Sequence, residues 1–270
     1  MRLLLLLLAL PIGSLLGQQR PLITERAETI EKGHILLDLG FEFLQDAVFP
    51  LSGLKGDLSR VGVVGFRYGV AENVEIAIVG SLQDSLNINS RFPGPNSGRL
   101  DFSGDSTSDF GDFILASKVR LLAEKPGSPG LSLRLAVELP NTSNESGLGI
   151  DETNVYTTLL FQKSVGPLTL LGNAGAAILG DPLEGGSQDD LFTYGVAGLI
   201  AAHPKLNLLA EAYGRTGPGG IGTEDQSRMR AGVQIKAGGV YWDIAGFWGL
   251  EDTDPDSGLI IGFSKEFSFR

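Results

Sequence analysis

The chain of 270 residues holds two histidines, His34 and His203, and no cysteine. Imidazole titrates near neutrality without help, so these are the first candidates for proton transfer. A serine hydrolase would need a serine and a carboxylate converging on one of them. The serine-rich stretches GSLQDS (80–85) and SGDSTS (103–108) lack the Gly-x-Ser-x-Gly spacing of a nucleophile elbow. The acidic run EDTDPDSG (251–258) sets oxygen ligands at alternate positions, as calcium loops do, but without the full spacing. TGPGG and EGGS are turn chemistry, because no helix follows to cradle a phosphate. The expectation is no catalytic residue, no metal site and no cofactor.

The remaining charges sit inside alternating runs. GGVYWDIAGFWGL (238–250) holds both tryptophans and one aspartate. Successive strand side chains point to opposite faces. Trp242, Ile244, Gly246, Trp248 and Leu250 then share an apolar face, and Asp243 falls on the other. LSLRLAVELP is the cleanest alternation, with Leu131, Leu133, Leu135, Val137 and Leu139 opposing Ser132, Arg134, Ala136 and Glu138. A strand between lipid and a polar interior explains both patterns.

The rest of the chain extends that reading. MRLLLLLLALPIGSLLG has a charged start, an apolar run and a small-residue exit, so 1–17 reads as a cleaved secretory signal. Residues 18–32 read as a polar periplasmic lead, and 33–270 as one barrel domain. The net charge of −11 makes nucleic acid an unsuitable partner. About twelve strands follow, most near the roughly 9–11 residues that cross a bilayer when tilted. Their connections alternate long and polar with short, including a long loop over 87–108. Outer-membrane barrels do this, with short periplasmic turns and long external loops. The expected fold is an all-β, closed antiparallel up-and-down transmembrane β-barrel of about twelve strands. Closure is required because no strand edge can be left open in lipid. On this topology His34 and His203 both lie near the periplasmic end.

Phe263, Phe267 and Phe269 alternate at the C-terminus and resemble the aromatic signal read by the outer-membrane assembly machinery, although Arg270 follows them. Several segments in order, FRYGVAENVEIAI (66–78), DFGDFILASKVRLL (109–122), LSLRLAVELPN (131–141), FTYGVAGLIAAHPKLNLLAEAYG (192–214) and the closing GLIIGFSKEF, resemble the MetA-pathway-of-phenol-degradation family of outer-membrane proteins. The resemblance spans most of the mature chain and implies a transporter-like barrel associated with uptake of aromatic compounds. It supplies no catalytic residues, and LPN stands here in place of the common Leu-Pro-Thr-Gly.

Parity along each strand points Asp38, Glu42, Glu75, Asp112, Lys118, Arg120, Arg134, Glu138, Glu211, Arg215, Arg228, Arg230, Lys236, Asp243 and Glu266 into the lumen. The bases gather as Lys118, Arg120 and Arg134 on one wall, and as Arg215, Arg228, Arg230 and Lys236 on the opposite one. Two readings stand. One is a narrow pore with two basic tracks for small anionic or aromatic solutes. The other is a packed lumen in which Glu138, Glu211, Asp112 and Asp243 neutralise the bases. The expected protein is an outer-membrane channel or transporter in contact with lipid and lipopolysaccharide. The alternative is a closed structural or adhesion barrel that binds partners through its external loops.

Overall fold

The computed structural model describes residues 20–184 and 186–268. The signal segment 1–17, Phe269 and Arg270 lie outside the described residues. The strands are β1 (His34–Phe49), β2 (Leu54–Ala71), β3 (Val74–Arg91), β4 (Ser106–Asp109), β5 (Phe113–Leu122), β6 (Gly130–Leu139), β7 (Asn154–Val165), β8 (Leu168–Gly180), β9 (Gln188–His203), β10 (Leu206–Thr216), β11 (Gln226–Ala237), β12 (Val240–Gly249) and β13 (Ser257–Ser268). Neighbours in sequence pair antiparallel, except that β4 and β5 both pair with β3, and β1 pairs with β13 over His34–Gln45, which closes the sheet. β4 is a four-residue strand laid only on the upper part of β3. Without it the wall has twelve strands, as expected from the sequence.

Alternation decides which side chains face out. Leu37, Leu39 and Phe41 on β1, Ile76 and Ile78 on β3, Val196 and Ile200 on β9, and Ile244 on β12 form an exposed apolar belt. Trp242 and Trp248 are about half exposed at the two ends of β12, while Asp243 between them is 3% exposed. Aromatics flanking an apolar band are the pattern of a lipid-facing barrel surface. The interior face of the same strands carries the charges.

Two departures from simple alternation matter inside. In the pairing of β1 with β2, Gly40 faces Val63 and Phe41 faces Val61, so Gly62 is an extra residue, at φ 65°. Such a bulge moves the following side chains to the opposite face. Leu54, Leu58 and Arg60 point inward before it; Gly65, Arg67 and Gly69 point inward after it. A Cβ at Gly62 would meet Leu82 and hold an L residue in the left-handed region. Gly62→Ala should therefore cost about 1–2 kcal/mol in a urea-unfolding measurement of the refolded barrel. The second departure is at β3, which runs on to Arg91, so the expected loop over 87–108 starts inside a strand that rises above the belt.

The loop end of the lumen is apolar on one side. Leu44, Leu58 and Leu86, with Phe247 and Ile260, form a buried cluster between β1–β3 and β12–β13. Leu100 and Phe102 from the β3–β5 connection and Leu148 from the β6–β7 connection pack onto it. The Asp109 carboxylate ties these connections together, accepting from the Ser143 amide at 2.9 Å and hydroxyl at 2.7 Å.

Candidate functional site: a partly filled lumen

Residues 20–32, expected as a lead outside the barrel, run through its interior instead. At mid-barrel Arg20, the first described residue, lies 3.4 Å from Asp243 on β12 and donates to the Ile261 carbonyl on β13. Close approach is possible there because Gly40 and Gly262 leave room; a Cβ at either would strike the guanidinium. Leu22 packs into a buried apolar group with Leu171, Ala197, Leu199 and Leu209. The Ile23 and Thr24 amides donate to the Glu211 carboxylate at 2.9 and 2.8 Å. Glu25 then meets Arg134 at 2.8 Å and Lys118 at 3.9 Å. The Ala27 carbonyl accepts from Ser132, the Ile30 amide donates to Glu75 at 2.8 Å, and Lys32 pairs with Gly69 just before β1.

The path has a physical cause. An extended segment inside a barrel needs partners for its amides and carbonyls, since a buried unpaired group is costly. The inward face supplies them as carboxylates, a serine, Gln234 (to the Arg20 carbonyl) and Arg230 (to the Pro21 carbonyl). The polar lead and the polar lumen therefore satisfy each other.

Most of the sequence-selected charges are drawn into this network or its margins. Asp38 pairs with Arg67 and accepts from Ser264 at 2.5 Å. Glu42 lies 3.7 Å from Arg60 and 3.9 Å from Arg230, which is also 3.9 Å from Glu211. Lys118 reaches Glu75 at 3.2 Å. Glu138 accepts from Asn154 and Tyr156, and Asp112 accepts from the Asn141 and Thr142 amides. None of these last two acids pairs with the bases in the way the packed-lumen reading expects. Two of the bases stand at the short-turn rim. Arg120 donates to the Glu72 carbonyl, and Lys236 is exposed with its ammonium 5.0 Å from the Tyr241 ring. Their parity is inward, but each stands too near its turn to reach the lumen.

The two basic walls do not stay apart. Arg134 from one, and Arg215 and Arg228 from the other, line a single cavity of about 250 Å³ above the filling segment. Ile23 and Glu25 form part of its boundary, and Tyr156, Tyr213 and Leu160 contribute apolar surface. Arg228 is held at 2.6 Å by Asp254. Asp254 belongs to the acidic run 251–258; it is buried and also accepts from the Ser227 amide at 2.9 Å. The run's central carboxylate thus serves an arginine, and among the described residues no group of three or more His, Cys, Asp or Glu is placed to hold a metal ion. A second cavity, of about 290 Å³, opens at the short-turn rim between Thr29, Lys32, Glu72 and Arg120.

His34 contacts Glu266 at 2.6 Å and Glu31 at 3.7 Å, and His203 accepts from the Lys205 amide. Sequence reasoning missed Arg60 and Arg67, because one parity cannot place both inside when a bulge lies between them. It also missed Arg20, Glu25 and Arg26, which belong to no strand. The available signal was a lead mixing Leu22 and Ile30 with charges of both signs.

No protein-family profile matches the sequence, and no curated protein matches it. Among solved structures the chain is similar to an outer membrane channel from Pseudomonas putida F1, with a TM-score of 0.64 and 14% identity over 89% of this chain and 98% of that one. It is also similar to the NanC porin, with a TM-score of 0.53 and 9% identity over 87% and 99% of the two chains. At these identities the likeness carries the fold alone.

Proposed function

We propose that the protein is an outer-membrane channel that passes small solutes passively along one side of its lumen, past the N-terminal segment. The observation that carries this reading is the asymmetric interior. The β1–β3 and β12–β13 side is packed at the loop end, whereas the β6–β11 side keeps a charged cavity of about 250 Å³, with a second cavity at the opposite rim. A barrel built only as a support has no need of three arginines around an open space, since isolated buried charge is costly. The segments resembling the MetA-pathway-of-phenol-degradation family support the same assignment, as does the fold shared with a channel and a porin. The chain is exported, assembled by the outer-membrane machinery and seated against lipid and lipopolysaccharide, with no catalytic activity.

The roof of loops over the apolar cluster favours a second reading, a closed barrel whose loops bind a partner. Planar-bilayer recording of the refolded mature protein separates the two. The channel reading expects a small, steady conductance that favours anions, because three arginines line the open cavity and only two of them, Arg134 and Arg228, are held by a carboxylate at ion-pair distance among the described residues. Cation preference would keep the channel and remove the role of the arginines. Silence from folded, inserted protein would leave the closed barrel.

A further inference from the structure

The arginines around the upper cavity differ in what they have already met. Arg134 is engaged by Glu25 at 2.8 Å and Arg228 by Asp254 at 2.6 Å. Arg215 forms no ion pair among the described residues. Its Nε donates to the Glu224 carbonyl at 3.3 Å and one Nη to the Gly222 carbonyl at 3.2 Å. A guanidinium has five N–H donors in a rigid fork that matches a carboxylate. Two carbonyls leave donors unused, and the nearby Glu224 and Glu138 carboxylates act on it only through space, without an ion-pair contact. Glu138, which faces inward on β6, spends one oxygen on both Asn154 and Tyr156, at 2.8 and 2.7 Å. The cavity therefore presents one arginine with unused donors and, among the described residues, no carboxylate within ion-pair distance to fill the place of a contact counter-charge.

The rest of the lining describes what would accompany that counter-charge. Tyr156, Tyr213 and Leu160 give an apolar wall, and Ile23 adds to it. The Tyr213 ring is held in place by Arg230, whose guanidinium carbon lies 5.4 Å from the ring centroid. A volume of about 250 Å³ falls just under the roughly 300–1,000 Å³ of pockets that take drug-sized ligands, so it suits a single ring or a body of that size.

We propose that this cavity is a binding site for a small organic monocarboxylate with a compact, flat apolar body, and that Arg215 receives the carboxylate. The proposal deepens the channel reading and rests on it for how the solute arrives and leaves; binding itself needs only the folded barrel. Benzoate is the probe, and benzamide is its neutral counterpart of nearly the same shape.

Calorimetric titration of the full mature protein, folded in detergent, provides the test. Benzoate is expected to bind at one site, and benzamide at least about tenfold more weakly, since a charge-assisted fork is lost. Arg215→Gln should weaken benzoate about tenfold or more while leaving benzamide unchanged, and Arg215→Lys should recover part of the loss. Equal affinity for benzoate and benzamide in the unaltered protein would overturn the proposal without any variant having to fold. So would undiminished benzoate binding in Arg215→Gln, or no benzoate binding by folded protein. Benzoate binding in a protein that carries no current would retain the site and remove the channel. Current without benzoate binding would do the reverse.

Discussion

Deleting residues 20–31 is expected to raise the single-channel conductance several-fold. The segment lies against most of the wall in turn: Arg20 against β11 to β13, Ile23 and Thr24 against β10, Glu25 against β5 and β6, and Ile30 against β3. A barrel of twelve strands is intermediate between those whose side chains fill the interior and those that enclose a wide aqueous channel. Here the N-terminal segment fills what the side chains leave. Its removal leaves Arg134 and Asp243 without their ion-pair partners and takes backbone donors from Glu75 and Glu211, which keep Lys118 and Arg230; water entering the vacated space hydrates them, so the barrel is expected to survive. The same preparation should still migrate as a folded barrel before boiling. Unchanged conductance in that folded deletion would mean that the solute path never passed the segment.

Asp38→Ala should destabilise the barrel by about 3–5 kcal/mol, measured by urea unfolding in lipid vesicles. Asp38 sits where the sheet closes. It pairs with Arg67 on β2, accepts from Ser264 on β13, and is 6% exposed. Removing one member of a buried pair leaves the other charged and uncompensated, and that asymmetry sets the size of the loss. The double replacement Asp38→Leu with Arg67→Met should regain much of it, because no charge is then left unpaired. A cost under about 1 kcal/mol for the single change would show that water reaches Arg67 freely, and that this part of the lumen is wet.

Much of this architecture could be read in the residues themselves. Asp243 between two outward tryptophans, and Arg134 and Glu138 opposite a row of leucines, fix parity on their strands without any tertiary information, because period two leaves no other assignment. Alternating long and short connections then implied a closed barrel. What escaped was set by non-local or irregular features. The Gly62 bulge reverses parity on β2, and nothing adjacent in sequence marks it apart from one more glycine in a glycine-rich run. The N-terminal segment has no period, because its backbone partners belong to strands from β2 to β11, some more than 200 residues away. Both charge readings were half legible. Three of the bases, Arg134, Arg215 and Arg228, converge as the pore reading needs, but at one cavity, and Glu25, Glu42 and Asp254, which the packed reading did not name, hold Arg134, Arg230 and Arg228.

The central claim is that the N-terminal segment occupies the lumen of the folded barrel. The chain contains no cysteine, so a pair can be introduced without background. A Cβ placed on Gly195 of β9 stands 3.5 Å from the Thr24 Cβ, within the range a disulfide spans. In the double variant Thr24→Cys, Gly195→Cys, mild oxidation of the folded, inserted protein should form the intramolecular disulfide nearly completely, leave neither thiol free for a maleimide reagent, and leave the conductance as small as that of the unaltered protein. Two thiols that stay free in the folded protein and react at once with a water-soluble maleimide would place the segment outside the lumen and contradict the account.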